Sequence, residues 1–503
     1  MFSINVRFFQ SSASVDRILF TIGKLRNKTK TTAAQYFSQA VHTAATTARL
    51  NVARTIRRQI MGMKEYSRYS ANTIMPHFKE FRILDYDIIG FDLDGTLLRY
   101  DLNHMVPLEH ELLIKFLVNE RNYPKQLLER KFDAKFVQKG LIIDAHRGNL
   151  LKMNEDGTIL RVSHGTKFLS DKEIVEVYGE SRQCSYVQTF VKDPLSAWNG
   201  PLTEKLRALL DYFDMGAALV FAQTVDVLDE LSNRGDNLQR EDYKIWPDML
   251  DGLIKIYTRD NFSNGLSAYF NALKENPDKY LLKTETKVIE FLKELKASGK
   301  ALFLLTGSNI DFANFTASYA LGPQWQELFD YTVAFAKKPG FFHMQRQFLK
   351  IQNLNEIPES EIALTDLLPP NTNYSQGNWQ QLKESICRQI LHKDSKDVKS
   401  LYVGDNLIQD VYAPSVVASI DTLAISEELL ENDNNYAFKA IVQSPLWGSY
   451  FSDDGVPTLW SQFIKKYSQL CISDMGVIAS VPIKDNIHCE NKEGYFPKRP
   501  EDL

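Results

Sequence analysis

The most constraining stretch of the chain is Asp87-Ile88-Ile89-Gly90-Phe91 followed by Asp92-Leu93-Asp94-Gly95-Thr96-Leu97. A short apolar run that stops abruptly at acids predicts a buried strand. Past the end of a strand, the i, i+2 spacing lets two carboxylates approach one point as the chain turns, and Gly95 permits the turn. Taken alone, two acids near a turn describe a solvated loop or a helix cap more often than a reactive site. The strand before them and the Gly95-Thr96-Leu97 after them make Asp92 and Asp94 candidates for chemistry.

The same grammar recurs downstream. Val288, Ile289, Phe291, Leu292 and Leu295 form one face of a predicted helix that Gly299 stops. Ala301–Leu305 then reads as an apolar strand ending at Thr306-Gly307-Ser308. Tyr331–Ala336 is a strand running into Lys337-Lys338-Pro339-Gly340, and Ser400–Val403 one running into Gly404-Asp405, with Asp410 five residues on. A last strand, Thr422–Ile425, follows a predicted helix. Strands alternating with helices imply an α/β fold with a parallel sheet, whose ligands lie at the carboxyl ends of the strands. The polar residues at four strand ends are therefore expected to converge at one edge. For the lysine, Lys337 and Lys338 are both open, with Lys338 favoured because it immediately precedes Pro339. Elsewhere, Glu109–Asn119 and Leu202–Phe213 read as amphipathic helices. Asn149–Leu160 reads as a hairpin turning at Glu155-Asp156-Gly157, and the segment 354–399 as polar and loop-rich.

Asp92-x-Asp94-Gly95-Thr96-Leu97 resembles the first motif of the haloacid dehalogenase superfamily of phosphohydrolases, and the later strand ends supply the other three motifs in order. The resemblance implies a Rossmann-like core and a set of roles that suit the chemistry. A phosphomonoester repels anionic nucleophiles, so its site must neutralise phosphate charge while presenting a nucleophile in line. Asp92 would attack phosphorus and form an aspartyl-phosphate, dividing hydrolysis into two displacements. Asp94 would protonate the leaving oxygen and then deprotonate the attacking water. Thr306 would donate its hydroxyl to a phosphate oxygen, and Lys338 would offset the carboxylates and the transferring group. The implied cofactor is Mg²⁺, held by the Asp92 side chain, the Asp94 backbone carbonyl and the Asp405 side chain. Asp410 would hold a metal-bound water or orient a neighbour.

About 210 residues separate Asp94 from Thr306, against 32 between Thr306 and Lys338, so a large cap is expected after the first motif. Such a cap reads the leaving group, since the four motifs grip phosphate alone. Several segments are similar to the purine-type cytosolic 5′-nucleotidase family. They include Phe91–Leu102 with Arg99-Tyr100, Arg147-Gly148-Asn149-Leu150-Leu151-Lys152, Ser163-His164-Gly165-Thr166, Lys338-Pro339-Gly340-Phe341-Phe342, Tyr374-Ser375-Gln376-Gly377-Asn378 and Leu401-Tyr402-Val403-Gly404-Asp405-Asn406. That similarity implies a small-molecule phosphate ester as partner, a nucleoside 5′-monophosphate. It also suggests Arg147, Asn149, Asp251 and Ser308 as substrate contacts, although a hairpin salt bridge or turn hydrogen bond explains Arg147 and Asn149 equally well. Competing readings are a catalytically weak scaffold or nucleotide sensor, and a phosphotransferase that shares the aspartyl-phosphate. The expected organisation is a leader over 1–70, a core over 82–105 and 284–430, and a cap over 106–283. A C-terminal extension over 431–503, ending in a tail, is expected to pack on the core.

The net charge of −4 hides an asymmetry. Residues 1–64 carry eleven Lys/Arg and one acid, Asp16, with thirteen Ser/Thr and eight Ala, so the rest of the chain has a net charge of −14. Val15, Ile18, Leu19, Ile22 and Leu25 share one helical face, with Arg17, Lys24 and Arg26 interleaved. This acid-poor amphipathic leader reads as a mitochondrial presequence, with the matrix as destination and the cytoplasm as the alternative. No stretch reaches the ~20 apolar residues of a transmembrane helix. Basic residues cluster in the leader, so nucleic-acid binding by the body is not expected, and a homo-oligomer is compatible with the sequence. Cys184, Cys387, Cys471 and Cys489 form no C-x-x-C pair and read as reduced thiols.

Overall fold

Nine strands make the central sheet: Ile88–Phe91 (β1), Ala301–Leu305 (β2), Tyr331–Ala334 (β3), Phe348–Gln352 (β4), Asn355–Glu356 (β5), Thr372–Gln376 (β6), Ser400–Gly404 (β7), Asp421–Ile425 (β8) and Leu470–Ile472 (β9). Their order is β5-β4-β6-β3-β2-β1-β7-β8-β9. The seven strands from β6 to β9 in that order run parallel, and β4 and β5 add an antiparallel edge. The computed structural model describes residues 80–488 apart from 200, 201, 233–241 and 432. The presequence reading and the C-terminal tail fall outside the described residues.

β1 is central because Ile88, Ile89, Gly90 and Phe91 are all buried, as a strand covered on both faces requires. β2 pairs with it on one side and β7 on the other, which aligns the ends of the three strands. The cap enters and leaves through a two-stranded ribbon, Arg99–Tyr100 against Leu281–Leu282. Its helices Leu102–Glu120 (α1), Met215–Ser232 (α2) and Ile245–Tyr257 (α3) pack on one another. Beside them lies a five-stranded antiparallel sheet that contains the expected hairpin, Asn149–Met153 against Ile159–His164.

Two sequence expectations need correction. Leu202–Phe213 is not a helix, for Leu206–Ala208 is a strand paired with Ile142–Asp144. The apolar spacing there suits either structure, and the neighbouring strand decides it by taking the backbone bonds: Leu209 N–H donates to the Leu141 carbonyl, and Gly140 N–H to that of Leu209. The segment 354–399 holds more regular structure than its polarity suggested. β6 reads Thr-Asn-Tyr-Ser-Gln, yet lies between β3 and β4, with Tyr374 and Ser375 buried. Helix Trp379–Ile386 follows, capped by the Asn378 side chain accepting from Gln381 N–H.

The acid-rich turn after β8 ties these parts together. Glu427 pairs with Arg99 of the hinge ribbon at 2.7 Å, and Glu428 pairs with Lys139 of the cap at 3.2 Å. Glu431 accepts from the Ser449 hydroxyl and from Tyr450 N–H. Cap and C-terminal segment also meet at Lys152, whose ammonium donates to the carbonyls of Trp447 and Ser449 at 2.6 and 2.7 Å. Burial, opposed by Asp453 and Glu431, pulls the Lys152 pKa down to about 8. Below pH 8 the lysine is protonated in both folded and unfolded chains, so the burial penalty is fully present. Between pH 8 and the unfolded value near 10.5, the folded chain sheds the proton first and stability rises. Relative to Lys152→Met, wild type is therefore expected to gain on the order of 3 kcal/mol across that interval. Denaturant unfolding of both proteins at several pH values reads this directly, and a pH-independent difference would contradict the shift. Among the described residues no helix is long and apolar enough to cross a membrane, and Cys184, Cys387 and Cys471 are free thiols.

Candidate active site

Four loops at the carboxyl ends of β1, β2, β3 and β7 meet over one cavity of about 280 Å³. After β1 the chain folds back sharply: Asp92 N–H donates to the Val403 carbonyl, Leu98 N–H donates to Leu93, and Gly95 sits at φ +77°. Gly95 is also required by space, because a methyl there would come within 2.5 Å of Asp405 Oδ2. After β3, Phe335 and Lys337 both take left-handed backbone, at φ +43° and +52°. Such conformations cost non-glycine residues energy and persist where the surroundings impose them. Here they turn the Lys338 side chain back under the cavity, while Lys337 points over the Phe335 ring at 4.8 Å. Of the two lysines, Lys338 is the one that lines the cavity. After β7, the Asn406 side chain caps the helical turn Leu407–Tyr412, and Gly404 leaves room for Asp410, whose Cβ would lie 2.4 Å from a methyl at that position.

Lys338 Nζ lies 2.9 Å from Asp92 Oδ1, 2.6 Å from Asp410 Oδ1 and 3.3 Å from the Tyr402 hydroxyl. Burial works against its charge, yet Asp410 and Asp92 hold the ammonium well above the ordinary lysine range. Asp410 also accepts from Asn406 N–H at 3.1 Å and is fully buried. Asp94 faces the same cavity and is gripped by three hydroxyls: Tyr100 on Oδ1 at 2.7 Å, and Ser308 and Thr306 on Oδ2 at 2.8 and 3.3 Å. Burial and the charge of Asp92 raise its pKa, and the hydroxyl donors oppose them.

The donor set fits a hard divalent cation. One carboxylate oxygen each from Asp92, Asp405 and Asp410 lies within 4.8 Å of the others, and all three residues are buried. Burial pushes Asp405 well above the usual carboxylate range; Lys139 opposes, and Asp92, Asp410 and Asp211 add to it. Three gathered carboxylates with one lysine between two of them leave a surplus of negative charge, which oxygen-seeking cations neutralise.

Away from the aspartates the cavity wall is aromatic. Phe213, Tyr257, Phe262, Tyr269 and Phe270 come from the cap and Phe312 and Phe335 from the core, with Arg259, Asp311 and Asp211 as charged members. Phe213 meets Tyr257 edge-on at 5.9 Å, and Phe270 lies 4.9 Å from Phe312. Such a surface suits a planar organic group.

The structure thus brings together Asp92, Asp94, Thr306, Ser308, Lys338, Asp405 and Asp410. Three expected substrate contacts lie elsewhere. Arg147 contacts Asp144 and the Tyr186 hydroxyl inside the cap, and Asn149 donates to the Tyr178 hydroxyl at 2.9 Å and pairs with His164. Asp251 is exposed on α3 and pairs with Arg121 at 2.9 Å. Arg147 and Asn149 thus make local contacts within the cap, as the alternative reading had it. Neither Tyr100 nor Asp211 was among the expected site residues, and the sequence singled out no particular aromatic of the cap. Tyr100 lay six residues past Asp94, and four wall aromatics fall between 257 and 270, a density that was the available signal.

Comparison with known proteins agrees with this geometry. A family model described as the 5′ nucleotidase family matches residues 78–439. The human 5′-nucleotidase domain-containing protein 1 is 31% identical over 461 residues, covering 84% of this chain and 97% of that one. Its Bos taurus counterpart is also 31% identical, over 458 residues with the same coverage. The human 5′-nucleotidase domain-containing protein 2 is 25% identical over 339 residues, covering 66% of this chain and 58% of its own.

Proposed function

The chain belongs to the 5′ nucleotidase family and is a phosphoric monoester hydrolase of that kind; from this premise we propose that it hydrolyses nucleoside 5′-monophosphates through an aspartyl-phosphate on Asp92, with Mg²⁺ as cofactor. The observation that carries the reading is a single cavity with buried acids and a lysine at one end and an aromatic wall at the other. The first suits a phosphate and the second a nucleobase.

In the proposed cycle an Asp92 carboxylate oxygen attacks phosphorus, and the bond from phosphorus to the ester oxygen breaks. The electron pair leaves with that oxygen, which takes a proton from the Asp94 carboxyl. Asp94, now ionised, accepts a proton from water as the water oxygen attacks the aspartyl-phosphate. Phosphate leaves and Asp92 regains its carboxylate. Lys338 stays protonated throughout and stabilises the transferring group, while Thr306 exchanges its contact with Asp94 for one with a phosphate oxygen. Asp92 and Asp405 would hold Mg²⁺, which when bound offsets the charge that phosphate and carboxylates bring together. Asp410 orients Lys338 and stands within reach of the same ion.

Chelation with EDTA is expected to remove phosphate release from the full chain, and added Mg²⁺ to restore it. In Asp405→Asn the Mg²⁺ needed for half-maximal rate should rise by roughly tenfold or more. Mg²⁺ should also raise the melting temperature of wild type, and at the same concentration raise that of Asp405→Asn by less. Equal activity in EDTA would reject the cofactor assignment.

A further inference from the structure

Asp94 Oδ2 is shared by Ser308 and Thr306, while Oδ1 is met by the Tyr100 hydroxyl at 2.7 Å. Donors on both oxygens fix the carboxyl plane, a torsion that is otherwise broad and roughly two-fold. Tyr100 is 4% exposed, and both ends of it are anchored. Its strand pairs with Leu281–Leu282, and the adjacent Arg99 is locked to Glu427 at 2.7 Å. The Tyr100 ring stands edge-on to Phe213, 5.0 Å between centroids at 83°, and Phe213 forms part of the aromatic wall. One side chain therefore touches the carboxylate at one end and the wall of the cavity at the other.

We propose that Tyr100 is a positioning residue: its hydroxyl holds the Asp94 carboxyl in the orientation from which a proton passes to the leaving oxygen. The proposal rests on the reading of Asp94 as the acid and base. Its consequence is a dependence on the leaving group. A ribose 5′ oxygen departs as a poor alkoxide unless it is protonated, whereas p-nitrophenolate departs unaided. Loss of the Tyr100 hydroxyl should therefore slow the first displacement for nucleotides and spare it for the aryl ester.

The experiment compares full-length wild type, Tyr100→Phe and Asp94→Asn with Mg²⁺ present. Release of the leaving group is followed in single turnovers of p-nitrophenyl phosphate and of the nucleoside monophosphate that wild type cleaves fastest. Tyr100→Phe keeps the ring against Phe213. It is expected to slow nucleoside release about 10–30-fold with KM within about twofold, and p-nitrophenolate release by less than about threefold. Asp94→Asn should slow nucleoside release by more than about 100-fold and again spare the aryl ester. The ratio of the two rates is taken within one sample, so it does not depend on the fraction folded. Equal effects on both esters, or no effect on the nucleotide, in Tyr100→Phe while Asp94→Asn still discriminates would overturn the role of Tyr100 alone. An Asp94→Asn that treats both esters alike would overturn the acid–base reading beneath it.

Discussion

Replacing Asp92 by Asn is expected to reduce phosphate release by about 10⁴-fold or more on every monoester tested. The amide oxygen is nearly isosteric but neutral, and a neutral carbonyl oxygen does not displace an ester oxygen from phosphorus. Asp92 is 7% exposed and contacts Lys338 at 2.9 Å, so the substitution changes charge with little change in packing. It also removes one charge from a site where Asp92, Asp405 and Asp410 repel one another, so the melting temperature should hold or rise. Loss of activity with retained stability separates a missing nucleophile from a misfolded chain. Phosphate release from full-length protein, read beside thermal unfolding, checks both halves. Activity within tenfold of wild type would remove Asp92 from the mechanism.

Lys338→Met should cost about 10³-fold in kcat/KM, since it withdraws the cation that the cavity floor presents to a transferring phosphoryl group. Unlike Asp92→Asn, it should also destabilise. It leaves Asp92 and Asp410 buried without their counter-charge, a loss of roughly 3–5 kcal/mol for a buried pair stripped of one partner. Mg²⁺ should return part of that stability, because the same carboxylates face the cation site. Lys338→Arg is expected not to rescue activity: the ammonium sits as a compact point charge between Asp92 Oδ1 and Asp410 Oδ1, a placement that a planar guanidinium does not reproduce. Lys337→Met, whose parent side chain lies over Phe335, should retain activity within about threefold of wild type. Kinetics of the three variants and denaturant melts with and without Mg²⁺ provide the readout. If Lys337→Met lost more activity than Lys338→Met, the lysine assignment would be reversed.

The edge of the sheet at the cavity was legible because β1, β2 and β7 are short, apolar and fully buried, each with a polar residue placed immediately after it. Their alternation with helices such as Thr286–Ala297 and Ile310–Leu321 then set the parallel order. β6 was not legible: Thr372, Asn373, Ser375 and Gln376 are polar, and its place in the sheet comes from neighbours rather than from its own composition. The cap resisted for a related reason. Leu206–Ala208 becomes a strand because Ile142–Asp144 offers it a ladder, a contact between segments more than sixty residues apart. Arg147 and Asn149 were drawn toward a substrate by the similarity of their segment to the nucleotidase family, whereas in the folded chain they contact Asp144, Tyr178 and His164. Likewise the aromatic wall exists where α3 and the segments after it fold against the core, a proximity that no local pattern encodes.

The place of β1 in the sheet also has a consequence for how the chain is made. The strand that leads into Asp92 is central, yet its two partners are β2, which begins 210 residues after Phe91, and β7, which begins 309 residues after it. At about 5–20 residues per second of translation, β1 leaves the ribosome roughly 10–40 s before its first partner exists and roughly 15–60 s before its second. During that interval an apolar strand with two open edges has no native pairing available, while the whole cap emerges and can fold behind it. Asp92 and Asp94 are thus synthesised long before Lys338, Asp405 and Asp410, and the cavity they share is complete only after β7 and the turn beyond it have emerged.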